Sequence, residues 1–171
     1  MKRLLFFALA AAFAASGAPA SAGSSSATMI VTATVISTCT ITSGNLNFGN
    51  YDAIGANAGA ALLGTAEITA TCSNGATAEV DIDQGLNPTG SGNAQQRRMK
   101  GPGSTNFLNY DIYKDSARSQ RWGTKTSGTT QPVTGGGSSA PVRLTAYGSV
   151  PPAQSAQVGA YTDSVAVTIN Y

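Results

Sequence analysis

Apolar and polar residues alternate along much of this chain with a period of two, which is the signature of strands that bury one face. The first such segment is long. Ala27, Met29, Val31, Ala33 and Val35 share one parity, and Thr28, Thr32 and Thr34 take most of the other, with Ile30 and Ile36 as large apolar intruders. At about 3.3 Å per residue, residues 27–35 would extend close to 30 Å, unusual for a terminal segment that nothing ties down. Leu46, Phe48 and Tyr51 form a second apolar run, and Ile68, Ala70 and Cys72 a third. Ala78, Val80 and Ile82 alternate with Glu79, Asp81 and Asp83. Leu108, Tyr110 and Ile112 form another face, as do Val142, Leu144 and Ala146. The chain finishes with Tyr161, Val165, Val167, Ile169 and Tyr171 on one parity, Asp163 being the one charge among them, and stops inside this predicted strand on an aromatic residue.

Turn residues fall between these runs: Ser73-Asn74-Gly75, Gly85-Leu86-Asn87-Pro88, Gly101-Pro102-Gly103 and Gly135-Gly136-Gly137. Short strands punctuated this way predict an all-β sandwich or barrel with Greek-key connections. Neither a second folded domain nor a repeat is visible in the pattern.

The N-terminus follows a different rule. Lys2 and Arg3 precede an apolar run over residues 4–15, and Ala20-Ser21-Ala22 supplies small residues at a cleavage position. This three-part pattern predicts a secretory signal peptide over residues 1–22, too short for a permanent membrane span. Cleavage is expected after Ala22, with Ala20 as the next choice. No other apolar stretch approaches membrane length. The mature chain is therefore expected outside the cytoplasm with no membrane span.

That cut changes the charge. The full chain has ten Lys plus Arg and eight Asp plus Glu; without Lys2 and Arg3 the two signs balance. A nucleic-acid binder needs surplus cations against phosphates, so no nucleic-acid partner is expected. Arg97-Arg98-Met99-Lys100 reads as a solvated loop. The two cysteines, Cys39 and Cys72, are expected to form a disulfide in an oxidising compartment. Closing that 33-residue interval stabilises the fold by roughly 3–4 kcal/mol on the chain-entropy account.

Histidine is absent, which removes the commonest general base and the usual nucleophile triads. Two cysteines without histidine make a poor metal set. Glu79, Asp81 and Asp83 have the residue types of a glycosidase pair or a calcium site, but their spacing is also that of the solvent side of a half-buried strand, which is the reading adopted. Tyr110, Tyr113 and Trp122 are read as packing residues rather than a sugar-stacking platform. No catalytic, cofactor or metal site is expected, and the chain is not read as an enzyme.

A set of ordered motifs adds a resemblance. Leu46-Asn47-Phe48-Gly49-Asn50-Tyr51-Asp52 is followed by Thr71-Cys72-Ser73-Asn74-Gly75 and Leu108-Asn109-Tyr110-Asp111-Ile112-Tyr113-Lys114-Asp115. Arg121-Trp122-Gly123, Tyr147-Gly148-Ser149-Val150-Pro151-Pro152 and Gly159-Ala160-Tyr161-Thr162-Asp163-Ser164-Val165 come next. Together they resemble the spore coat protein U domain family, which includes subunits of archaic chaperone–usher pili, over about residues 28–171. The resemblance implies an incomplete immunoglobulin-like β-sandwich that lacks its last strand and is completed by donor-strand exchange. A periplasmic chaperone would fill the groove first. An outer-membrane usher would then let the N-terminal extension of the next homologous or related subunit replace it.

On this reading residues 23–34 form the donor-strand extension, with Met29 and Val31 as its pocket-filling side chains and Ala33 as a small contact where two domains meet, and residues 35–171 form the pilin-like domain. Val165, Val167, Ile169 and Tyr171 are the expected chaperone-binding positions, with basic chaperone residues holding the terminal carboxylate. The expected role is a structural subunit of a surface pilus serving adhesion and biofilm formation, exported through the periplasm. Two alternatives stay open: a secreted spore or cell coat protein of the same fold, and a monomeric carbohydrate-binding module.

Overall fold

The computed structural model describes residues 21–90 and 95–171. The basic and apolar parts of the expected signal peptide lie outside the described residues. The chain divides into two units, Met1–Thr34 and Val35–Tyr171. In the first, residues 21–34 form no strand and are exposed throughout. Among its described residues the second contains eight strands: β1 (Cys39–Ser43), β2 (Leu62–Cys72), β3 (Thr77–Ile82), β4 (Arg97–Lys100), β5 (Phe107–Tyr113), β6 (Gln131–Thr134), β7 (Val142–Val150) and β8 (Val167–Asn170).

These strands build two antiparallel sheets, one in the order β1-β2-β7-β5-β4 and one in the order β6-β3-β8. Alternation decides which side chains meet between them. Ile68, Ala70 and Cys72 of β2, Leu108, Tyr110 and Ile112 of β5, and Val80 and Ile82 of β3 are all buried, as their shared parities require. The chain changes sheets immediately after β2. Ala76 N donates to Ser73 O across a tight turn, Gly75 takes φ +78°, and its N–H donates to Gly135 O. A residue with a Cβ is strained at that φ, which explains the glycine.

Cys39 and Cys72 are bonded to each other and are register partners in the β1–β2 pair. The disulfide thus fastens the first strand to the next core strand, as the cysteine pair predicts.

Four expectations need correction. The alternating segment at residues 27–35 is not a strand here; regular pairing starts only at Cys39. Its side chains have no sheet to bury against, and alternation alone cannot supply one. The run containing Leu46, Phe48 and Tyr51 is also irregular, although all three side chains are half-buried. At the other end, β8 is limited to Val167–Asn170, yet the in-and-out burial pattern begins at Tyr161.

The fourth correction concerns the supposed solvated cluster. Residues Arg97–Lys100 form β4, and Arg97 is 0% exposed. Its guanidinium donates from Nη1 to Asp111 Oδ1 at 2.6 Å, from Nη2 to Ile82 O at 2.9 Å and Trp122 O at 2.7 Å, and from Nε to Asp83 O at 2.7 Å. Burial pushes its pKa below the ordinary value, and the Asp111 carboxylate opposes that shift. Asp111 is shared with Arg121, whose Nε lies 2.7 Å from Oδ2. Trp122, 1% exposed, donates its indole N–H to Val80 O at 2.8 Å. One side chain from the larger sheet therefore satisfies carbonyls at the end of β3 in the smaller one.

Replacing Arg97 with Ala takes one of two cations from Asp111, leaving Arg121 alone against it, and leaves three buried carbonyls without that donor. The expected loss is about 3–5 kcal/mol of folding stability. Urea unfolding of Arg97→Ala and of the shape-filling Arg97→Met tests this; a change below about 1 kcal/mol in both variants would remove Arg97 as the inter-sheet staple.

Candidate functional site

The two sheets do not close on each other along one side. β1 is the edge strand of the larger sheet and β8 an edge strand of the smaller; neither has a described strand on its outer side. Between them lies an open cavity of about 530 Å³ whose walls include Ile68, Ile112 and Ala146 from the larger sheet and Ile82, Val165 and Val167 from the smaller. Ser43, the last residue of β1, and Val167, the first of β8, reach the same space. A trough lined by these apolar side chains and also by Asn45, Thr162 and Asp163, and flanked by two unpaired backbone edges, has the form of a missing strand.

The approach to β8 is held by two carboxylates. Asp83 N donates to Ala166 O at 3.0 Å, and Asp83 Oδ1 accepts from Ala166 N and Gly85 N, both at 2.9 Å. Asp163 Oδ1 accepts from Leu86 N at 3.0 Å and Asn87 Nδ2 at 3.3 Å, while its Oδ2 accepts from the Tyr110 hydroxyl at 2.7 Å. Tyr110 belongs to the larger sheet, so this bond crosses the groove floor. Burial pushes the Tyr110 pKa well above the tyrosine range, and the hydrogen bond to Asp163 and that residue's charge push it the same way.

A second cavity, about 970 Å³, adjoins the first and is walled by Leu62, Leu108 and Val150 together with the exposed Ile54 and Val158. Leu46 and Phe48 line both cavities. They rest over Gly64 and Gly148, which are direct register partners in β2 and β7. A Cβ on Gly148 would lie 2.7 Å from Phe48 Cε1 and 2.8 Å from Leu46 Cδ2, so the glycine pair forms a notch that admits both side chains.

The expected site residues fall into two groups. Val165 and Val167 line the groove, and Ile169 packs against the core in the same parity. Tyr171 follows β8 and is 62% exposed. Met29 and Val31 are each 84% exposed, and Ala33 is exposed beside them. Tyr110 and Trp122 are buried, which leaves them no open face for stacking on a sugar. Asp81 accepts a hydrogen bond from Lys125 N at 3.1 Å, and Asp83 is used by the groove edge. Sequence reasoning missed Asp163, Phe48 and the Gly64–Gly148 notch as parts of the site. A lone acid in an apolar run was the available signal for Asp163; the glycines lie nearly ninety residues apart and signal nothing until their strands pair.

Comparison with known proteins places these features in context. The Spore Coat Protein U domain matches residues 25–168. Protein U of Myxococcus xanthus is 39% identical over 132 residues, covering 75% of this chain and 72% of its own. Among solved structures, the chaperone–tip adhesion subunit pre-assembly complex CsuC–CsuE, from the archaic chaperone–usher Csu pili of Acinetobacter baumannii, matches with a TM-score of 0.55 at 23% identity. That match covers 81% of this chain but only 41% of the solved chain. The likeness establishes a shared fold.

The Tyr110–Asp163 pair generates a pH test. An unfolded tyrosine begins to lose its proton near its ordinary value of 10.0, while folded Tyr110 retains it. Above that pH the unfolded state binds fewer protons, so stability falls as pH rises. Tyr113, whose pKa is also raised chiefly by burial, adds to the decline. Tyr110→Phe is expected to cost about 1–2 kcal/mol at neutral pH through the lost bond to Asp163, and to flatten the decline in urea midpoint above pH 10. An unchanged slope in the variant would refute the shift.

Proposed function

The chain belongs to the Spore Coat Protein U domain family, and from that membership and the open groove we propose that it is a structural subunit of a chaperone–usher pilus, polymerising by donor-strand complementation. The observation that carries this reading is a pairing of opposites within one sequence. The unit Val35–Tyr171 has an apolar trough between two unpaired edges, and residues 27–34 carry an alternating apolar face with no sheet to cover it. Each supplies what the other lacks: backbone donors and acceptors along the strand, and side chains for the trough.

In this proposal residues 23–34 form the donor extension and residues 35–171 the receiving domain. Met29 and Val31 fill the groove of the preceding subunit, and Ala33 makes the close contact where two domains meet. Val165, Val167, Ile169 and Tyr171 form the handle for a periplasmic chaperone, which covers the trough until an outer-membrane usher admits the next subunit. The pilus stands on the cell surface and serves adhesion and biofilm formation. The chain acts by assembly rather than catalysis.

The family description and the similarity to Protein U favour a second reading, a secreted coat protein built on the same fold. Polymer architecture separates the two, because a coat subunit need not depend on its N-terminal segment for linear assembly.

Two experiments test the proposal. Burying a Val side chain is worth about 1.5–3 kcal/mol, and a carboxylate in its place adds a desolvation cost. With chaperone and usher co-expressed, Val31→Asp is expected to leave the periplasmic chaperone complex intact while surface polymer disappears. Heat-labile ladders at the wild-type level would exclude residues 27–34 as the donor. Separately, deleting residues 169–171 is expected to abolish co-purification with the chaperone; normal recovery of that complex would exclude the C-terminal handle.

A further inference from the structure

The groove is longer than the segment proposed to fill it, and a few side chains at its division line both cavities, Leu46, Phe48, Met99 and Tyr161 among them. Ordered positions on three strands trace its axis. On β2, Ile68 and Ala66 line the first cavity and Leu62 the second, with Gly64 between. On β7 the sequence is Ala146, Gly148, Val150, and on β5 it is Ile112 and Tyr110, then Leu108. Phe48 stands at the division. Its ring lies over the glycine notch and meets the edge of Tyr110, with 6.1 Å between ring centroids.

We propose that Phe48, seated in the Gly64–Gly148 notch, is the stop that limits the length of strand the groove accepts. The inference rests on the groove being the receptor for residues 27–34 of a second copy, and it names the feature that sets the specificity of that receptor. Length supports it. The alternate positions of the C-terminal run that line the first cavity, Tyr161, Asp163, Val165 and Val167, extend over about 20 Å, and the alternating positions from Ala27 to Ala33 extend over the same distance. Four positions thus face four, and the first cavity is used up. Composition supports it as well. The residues preceding Ala27 are Gly23-Ser24-Ser25-Ser26, which carry no apolar side chain for the second cavity.

The stop is held by packing. Residues 45–50 make no backbone-to-backbone hydrogen bond; the flanking anchors are Gly44 N to Glu67 O at 2.8 Å, and Tyr51, whose hydroxyl donates to Pro151 O at 3.0 Å and accepts from Gln154 N at 2.8 Å. Trimming the ring therefore joins the two cavities without removing a strand.

The test uses the full chain carrying Val31→Asp, so that its own segment does not compete, and fluorescent peptides added to it. One peptide has the sequence of residues 27–34; two others lengthen it by four alternating Thr and Val residues at its N-terminal or C-terminal end. With Phe48 present, all three are expected to bind within about twofold of one another. With Phe48→Ala, one lengthened peptide should bind at least about tenfold more tightly than the short one, the gain from burying one further valine. Phe48→Leu, which keeps an apolar but shorter side chain, should show the same ranking with a smaller ratio and serves if near-UV circular dichroism shows that the Ala variant is unfolded. A tenfold gain with Phe48 intact, or none in either variant, overturns the stop. Failure of every peptide to bind with Phe48 intact overturns the donor-strand reading itself and the stop with it.

Discussion

Two sheets that lack a strand between them must still be held as one body, and the buried Arg97 guanidinium does this. It comes from β4 of the larger sheet and donates to carbonyls of Ile82 and Asp83 in the smaller. A purely apolar contact at that place would leave those carbonyls and that of Trp122 buried without this donor, each at a cost comparable to a lost hydrogen bond. The charge is tolerable because Asp111 lies against it. Asp83 extends the chain of constraints, since its amide and carboxylate both hold Ala166 ahead of β8. The groove edge is thus positioned by the same polar network that joins the sheets.

The disulfide constrains the opposite wall. β1 is only five residues long and pairs on one side alone, so its own ladder holds it weakly. The covalent link from Cys39 to Cys72 ties it to β2, the longest strand. Without that tie, an edge strand beside an open trough would have little to oppose fraying. The trough is consequently bordered by one covalently fixed edge and one edge fixed by the half-buried carboxylates of Asp83 and Asp163.

Such a groove is costly to expose. Apolar walls and unpaired strand edges together invite association with any extended chain. The balanced charge of residues 23–171 offers little general repulsion against self-association. On the proposed reading, a partner strand that supplies both hydrogen bonds and side chains would turn this liability into an assembly rule, and the proposed stop at Phe48 would add a boundary to it.

The sequence by itself determined the strand faces, because period-two burial is a local property. The parities of Ile68, Val80, Ile112 and Ala146 place each in the core. It also determined the disulfide, since two cysteines admit one intrachain pairing, and the family, since the ordered motifs stand in the chain itself. Only the tertiary structure decided which alternating segments become strands, because a strand exists by pairing: residues 27–35 alternate as clearly as β3 and pair with nothing here. Burial of Arg97 was likewise invisible, because a cation in a polar cluster looks solvated until distant residues Ile82, Asp111 and Trp122 converge on it. The same holds for Gly64 and Gly148, whose meaning lies in their register and not in their neighbours along the chain.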